Sequence, residues 1–102
     1  MPWILLREIV LDQHAQAELE VARRDFPRFD EAWDGLNWLL ARNPTPTGSF
    51  PTTYKGQSYM MYGWSPHITG APDMWIVYAY DDVQVVIHGI NAIEPAEDLE
   101  EN

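Results

Sequence analysis

Apolar positions along the chain change their period twice, and the changes mark the elements. Trp3 to Leu11 is almost continuously apolar, broken by Arg7 and Glu8, and its β-branched residues favour a strand toward the interior of a sheet. From Asp12 the spacing becomes helical. Ala15, Leu19, Ala22 and Phe26 recur at intervals of four, three and four, which predicts an amphipathic helix from about Asp12 to Asp25 with the Asp12 carboxylate as its cap. Phe29, Trp33, Leu36 and Leu40 repeat those intervals behind Pro27, a residue suited to a first helical turn, and Pro44 stops this second helix near Asn43. With almost no chain between them, the two helices are expected to form an antiparallel hairpin. Gly35, inside the second helix, costs about 1 kcal/mol relative to alanine, and close approach of the first helix is one explanation.

After the turn-rich stretch Asn43 to Gly48, the period falls to two. Phe50, Thr52 and Tyr54 alternate with polar or small neighbours as in a half-buried strand, and Lys55-Gly56 interrupts them. Ser58 to Trp64 reads as a continuation or as a second strand, and Ser65 to Asp73 as a loop. Met74 to Tyr80 and Val83 to Ile90, joined at Asp81-Asp82, make the clearest hairpin, with Trp75, Val77 and Ala79 on one face and Met74, Ile76, Tyr78 and Tyr80 on the other. Both of its strands read as central. The order strand, helix, helix, then three or so strands predicts an α+β fold in which a helical hairpin packs on a small, mainly antiparallel sheet.

Composition adds one domain, residues 1–93, and an acidic tail, 94–102. The 102 residues are 46% hydrophobic, enough for one core and too few for two. Formal charge is -10, but five of the 16 acids lie in the tail, so the body carries 11 acids against six bases. A surface of that sign repels phosphate backbones, which makes direct nucleic-acid binding doubtful and favours a protein partner; a homodimer is compatible with the size. Cysteine is absent, which excludes disulfides and thiolate chemistry. No metal or cofactor motif occurs, no apolar run is long enough to span a membrane, and the default location is the cytoplasm.

The chain resembles the RelE/ParE superfamily of small bacterial toxins from type II toxin-antitoxin systems. The resemblance runs from Ile9 to about Ile93. It is carried by Ala15 and Leu19 in the first helix, Leu40-Ala41-x-Asn43-Pro44 closing the second, Gly48, the step Tyr54-Lys55-Gly56, and Ile76-Val77-Tyr78-x-Tyr80-Asp81-Asp82 leading to Val85-Val86-Ile87. It implies inhibition of translation or of DNA gyrase, a cognate antitoxin as partner, and, in the ribonuclease members, metal-independent cleavage in which basic side chains and sometimes a tyrosine help the ribose 2′-hydroxyl attack the adjacent phosphate. The chain departs from that pattern at Trp75, where the family often has arginine, and it has no lysine or arginine after Lys55.

Lys55, Tyr54 and His88 are therefore the candidate catalytic residues, with His67 a further group able to relay a proton. Each has a plainer reading: Lys55 as a solvated turn residue, His88 as a hydrogen-bonded sheet histidine. His14 is spaced to pair with Glu18 on the helix surface. Tyr54, Tyr59, Tyr62 and Trp64 read as core or interface aromatics or as a base-stacking platform, and Trp38 as exposed and available to a partner. A non-catalytic protein-binding module on the same scaffold is the alternative function.

Overall fold

The computed structural model describes residues 6–94, so Trp3 to Leu5 of the expected first strand and the acidic tail beyond Glu94 lie outside the described residues. In chain order the elements are β1 (Glu8–Leu11), α1 (Gln13–Asp25), α2 (Phe29–Arg42), β2 (Phe50–Tyr54), β3 (Gln57–Trp64), β4 (Asp73–Tyr80) and β5 (Gln84–Ile93). They form one five-stranded sheet in the order β1-β5-β4-β3-β2, antiparallel throughout except that β1 runs parallel to β5. The predicted α+β architecture is thus the observed one.

The helices begin and end where side-chain chemistry dictates. Asp12 Oδ1 accepts the Ala15 N–H at 2.8 Å and starts α1, whose Ala15, Leu19 and Ala22 are buried. Pro27 falls short of the second helix: Phe29 N–H donates to the Phe26 carbonyl, so Pro27 and Arg28 form the connecting turn and α2 starts after them. Phe29, Ala32, Trp33, Leu36 and Leu40 are its buried stripe. Both helices cover one face of the sheet, against Met74, Ile76 and Tyr78 of β4 and Val85, Ile87 and Ile90 of β5. Burying each such large side chain stabilises the fold by roughly 1.5–3 kcal/mol. Tyr78 is wholly buried, and its hydroxyl donates to the Pro44 carbonyl at 2.6 Å, which satisfies the one polar atom it takes inside.

Three further expectations change. The first strand is an edge, not an interior, strand, because its four residues pair only with Gln84–Ile87 before the chain turns into α1. Gly35 makes room for Trp64, not for α1: an added Cβ would lie 3.2 Å from the indole, whose Nε1–H donates to the Ala32 carbonyl at 3.1 Å. Finally, β5 is central only along its first half. Beyond Ile87 it runs on to Ile93 with no strand on its outer side among the described residues.

A bulge in β5 falls at His88. Tyr78 pairs with Ile87 and Val77 with Gly89, so His88 is an extra residue opposite no partner. The inward positions of β5 shift with it, from Val85 and Ile87 before the bulge to Ile90 after it. Had His88 been paired in an unbroken two-residue alternation, Ile90 would face away from the helices.

Candidate functional site

On the sheet face opposite the helices, a cleft of about 230 Å³ is lined by Asp12, His14, Lys55, Gln57, Tyr59 and His88. Four elements meet there: the turn from β1 into α1, the first turn of α1, the β2–β3 hairpin and the bulge of β5.

His88 is held by Asp12. Its Nδ1 lies 2.8 Å from Asp12 Oδ2, while Oδ1 of the same carboxylate caps α1. Asp12 is partly buried, which pushes its pKa up, but the Ala15 N–H and the His88 ring outweigh that, and the carboxyl is held below the ordinary aspartate value. An ionised carboxylate can only accept, so Nδ1 carries the hydrogen and Nε2 is the nitrogen able to take or give a proton in the cleft. The ring centroid of Tyr59 is 4.8 Å from that of His88, with the planes tilted by 49°. The Tyr59 hydroxyl donates to Gln57 Oε1 at 3.0 Å.

Lys55 reaches the cleft from a strained place. Tyr54 pairs with Gln57, so Lys55 and Gly56 are a two-residue hairpin loop, and both have positive φ, 52° and 78°. These are the angles of a type I′ turn, where asparagine or aspartate commonly precedes glycine and a long L side chain is disfavoured. It is the single lysine of the sequence.

From the helix side, α1 fixes the bulge a second time. Glu18 Oε1 accepts the Ile90 N–H at 2.7 Å, and Glu18 Oε2 is 3.3 Å from His14 Nε2, the helix-surface pair expected from spacing. Asp12 and Glu18 therefore grip β5 on either side of Gly89.

Of the residues chosen from sequence, Lys55 and His88 come together in this cleft. Tyr54 pairs in β2, and its side chain lies outside the described residues. His67 sits in the Ser65–Pro72 loop at φ 57° and does not line the cleft. The aromatic group divides: Tyr62 and Trp64 pack toward the helices, and Tyr59 faces the cleft. Asp12 was read only as a helix cap. Its second role depends on the β1–β5 register, which sets Leu11 opposite Ile87 and so brings the following residues, Asp12 and His88, together; no spacing in the sequence announces that pairing.

No protein-family model, curated protein or solved structure matches this chain. Among the described residues, no three histidine, aspartate or glutamate side chains are grouped to hold a metal ion, and no helix is long and apolar enough to cross a membrane. Beside the cleft lies a more apolar pocket of about 360 Å³, walled by Phe50, Met61, Trp75 and Val77 on the same sheet face and by His14 and Glu18 of α1. Trp75 lies flat on Gly63, where an added Cβ would be 3.0 Å from the ring. Trp38 is exposed as expected, with the Arg42 guanidinium 4.1 Å above its ring.

Proposed function

We propose that this chain is a RelE/ParE-like toxin-family protein whose cleft performs metal-independent proton transfer on an RNA phosphodiester presented by a larger assembly. The observation that carries the reading is the Asp12–His88 pair, a histidine fixed in one tautomer by a carboxylate and facing a cleft that also holds Lys55 and Tyr59. In such a site His88 Nε2 takes the proton of the ribose 2′-hydroxyl as that oxygen bonds to phosphorus. The P–O5′ bond breaks, and the leaving oxygen receives a proton from Tyr59 or Lys55, giving a 2′,3′-cyclic phosphate and a 5′-hydroxyl. Lys55 opposes the charge that develops on the phosphoryl oxygens. The type I′ position of Lys55 supports the reading, since strain kept at a cleft is a common companion of function.

A charge of -10 is adverse to capturing naked RNA, so the substrate is expected to arrive held by a partner, as a message is held in a ribosome. The test is a translation extract supplied with the protein. Cleaved message ending in cyclic phosphate is expected from the native chain, and at least 100-fold less from His88→Gln or Lys55→Ala. Intact message with the native chain present would refute the enzyme reading. It would favour the second reading, a non-catalytic protein-binding module, to which Trp75 at a position where the family often has arginine already points.

A further inference from the structure

We infer that the outer edge of β5 from His88 to Ile93 is a docking site for an extended segment of another protein, one with adjacent apolar side chains flanked by lysine or arginine. This surface adjoins the cleft but does not depend on its chemistry.

A sheet has unpaired N–H and C=O groups wherever a strand lacks a neighbour, and proteins usually blunt such edges. The β2 edge is blunted by Pro51, which has no N–H to offer. On the other side, β1 covers β5 only as far as Ile87, leaving six residues of β5 with no strand beside them among the described residues. Glu18 marks which way the backbone faces. Its carboxylate takes the Ile90 N–H, so that N–H points outward, and the two-residue repeat of a strand directs Ala92 the same way. A side chain is thus standing in for the carbonyl of a missing strand.

The edge is flanked by a pocket on each face of the sheet. On the open face is the apolar pocket of about 360 Å³ walled by Trp75 and Phe50. On the helix face is one of about 330 Å³ between α1 and β5, lined by Ala17, Val21, Phe26 and Ala92. His14, Glu18, Ile90 and Asn91 line both. Successive side chains of an added strand alternate between faces, so neighbouring residues would fill the two pockets in turn while main-chain bonds replace Glu18 at Ile90.

Charge selects the occupant. Glu18 and Asp25 line the helix-side pocket, Glu94 follows the end of β5, and the sequence beyond carries four more acids. A second copy of this chain, or its own C-terminal residues, would bring acid to acid; a segment with basic ends complements the groove.

The test uses the full chain and the peptide Arg-Lys-Val-Ile-Val-Lys-Arg, acetylated and amidated, followed by amide NMR. Saturable binding is expected, with shift changes at Gly89 to Ala92, slowed exchange at Ile90 and Ala92, and weakening as salt rises. N-methylation of one alternate set of peptide amides should weaken binding at least tenfold and methylation of the other set should not. Val21→Lys, at an exposed position in the helix-side pocket, should also weaken it tenfold in a chain that stays folded. Equal effects of the two methylated peptides would overturn the inference, as would shifts confined elsewhere, equal binding of a peptide with glutamate ends, self-association through this edge, or no saturable binding at millimolar peptide. RNA cleavage can fail while this binding holds, and the reverse, so the two proposals are separable.

Discussion

Replacing Asp12 probes the residue on which the fold and the site both rest. One carboxylate oxygen caps α1 through the Ala15 N–H and the other holds His88, each at 2.8 Å. Asp12→Ala removes both. An N-cap is worth about 1 kcal/mol. A hydrogen bond to a charged group contributes roughly 1.5 kcal/mol. The loss should therefore be about 2–3 kcal/mol, a fall in Tm of roughly 10–15 °C for a domain of this size. Asp12→Asn keeps an oxygen for the cap, where asparagine serves as well as aspartate, and should cost only about 1 kcal/mol. Urea unfolding of native chain, both variants, His88→Ala and the double variant closes a cycle whose coupling should be about 1 kcal/mol. Because the folded pKa of Asp12 lies below its unfolded value, the advantage of the native chain over Asp12→Asn is present above the unfolded pKa, near 4, and is lost as pH falls through the folded one. A loss under about 0.5 kcal/mol in Asp12→Ala, or additivity with His88→Ala, would refute the dual role.

Further outcomes follow from single contacts. Burial pushes the Tyr78 phenol up to about 12, with Ser49 pulling the other way, so the stability it confers is complete below pH 10 and is lost as pH rises to about 12. Tyr78→Phe should therefore cost about 1–2 kcal/mol at pH 7, by orphaning the Pro44 carbonyl, yet lose about 3 kcal/mol less than the native chain between pH 10 and 12, measured by urea unfolding at each pH. Gly35→Ala, usually a gain of about 1 kcal/mol in a helix, should instead destabilise by about 1 kcal/mol, because Trp64 is pinned at the contact and cannot yield; a rise in the urea midpoint would contradict this. Lys55→Asn should raise stability by about 0.5 kcal/mol, since asparagine suits positive φ, while abolishing message cleavage; lowered stability or retained cleavage would count against a functional lysine.

Elements that rest on local pattern were legible in the sequence. The helical stripes, the Asp12 cap and the β4–β5 hairpin follow from spacing and from short polar side chains, and Asp81 closes that hairpin by accepting the Val83 and Gln84 N–H groups. What stayed hidden depends on register. Whether β1 is interior or edge is set by whether a strand pairs on its outer side, and an apolar run looks alike in either place. Gly35 invites a helix-contact explanation, whereas its neighbour is an indole 29 residues away in sequence. The site was half visible: Lys55 and His88 stand out as rare cations and proton carriers, but Asp12 joins His88 through the parallel register that sets Leu11 opposite Ile87, so that the residues following each of them meet. Tyr59 could not be told from Tyr62 and Trp64 until the pairing of β3 fixed which face each takes.

The most direct measurement is the tautomer of His88, read from long-range proton–nitrogen couplings of the ring in ¹⁵N-labelled protein at a pH where the imidazole is neutral. A hydrogen on Nδ1 and a bare Nε2, both reverting toward the mixture of free histidine in Asp12→Ala, is the predicted result. A hydrogen on Nε2, or a spectrum indifferent to Asp12, would leave the cleft without its proton acceptor.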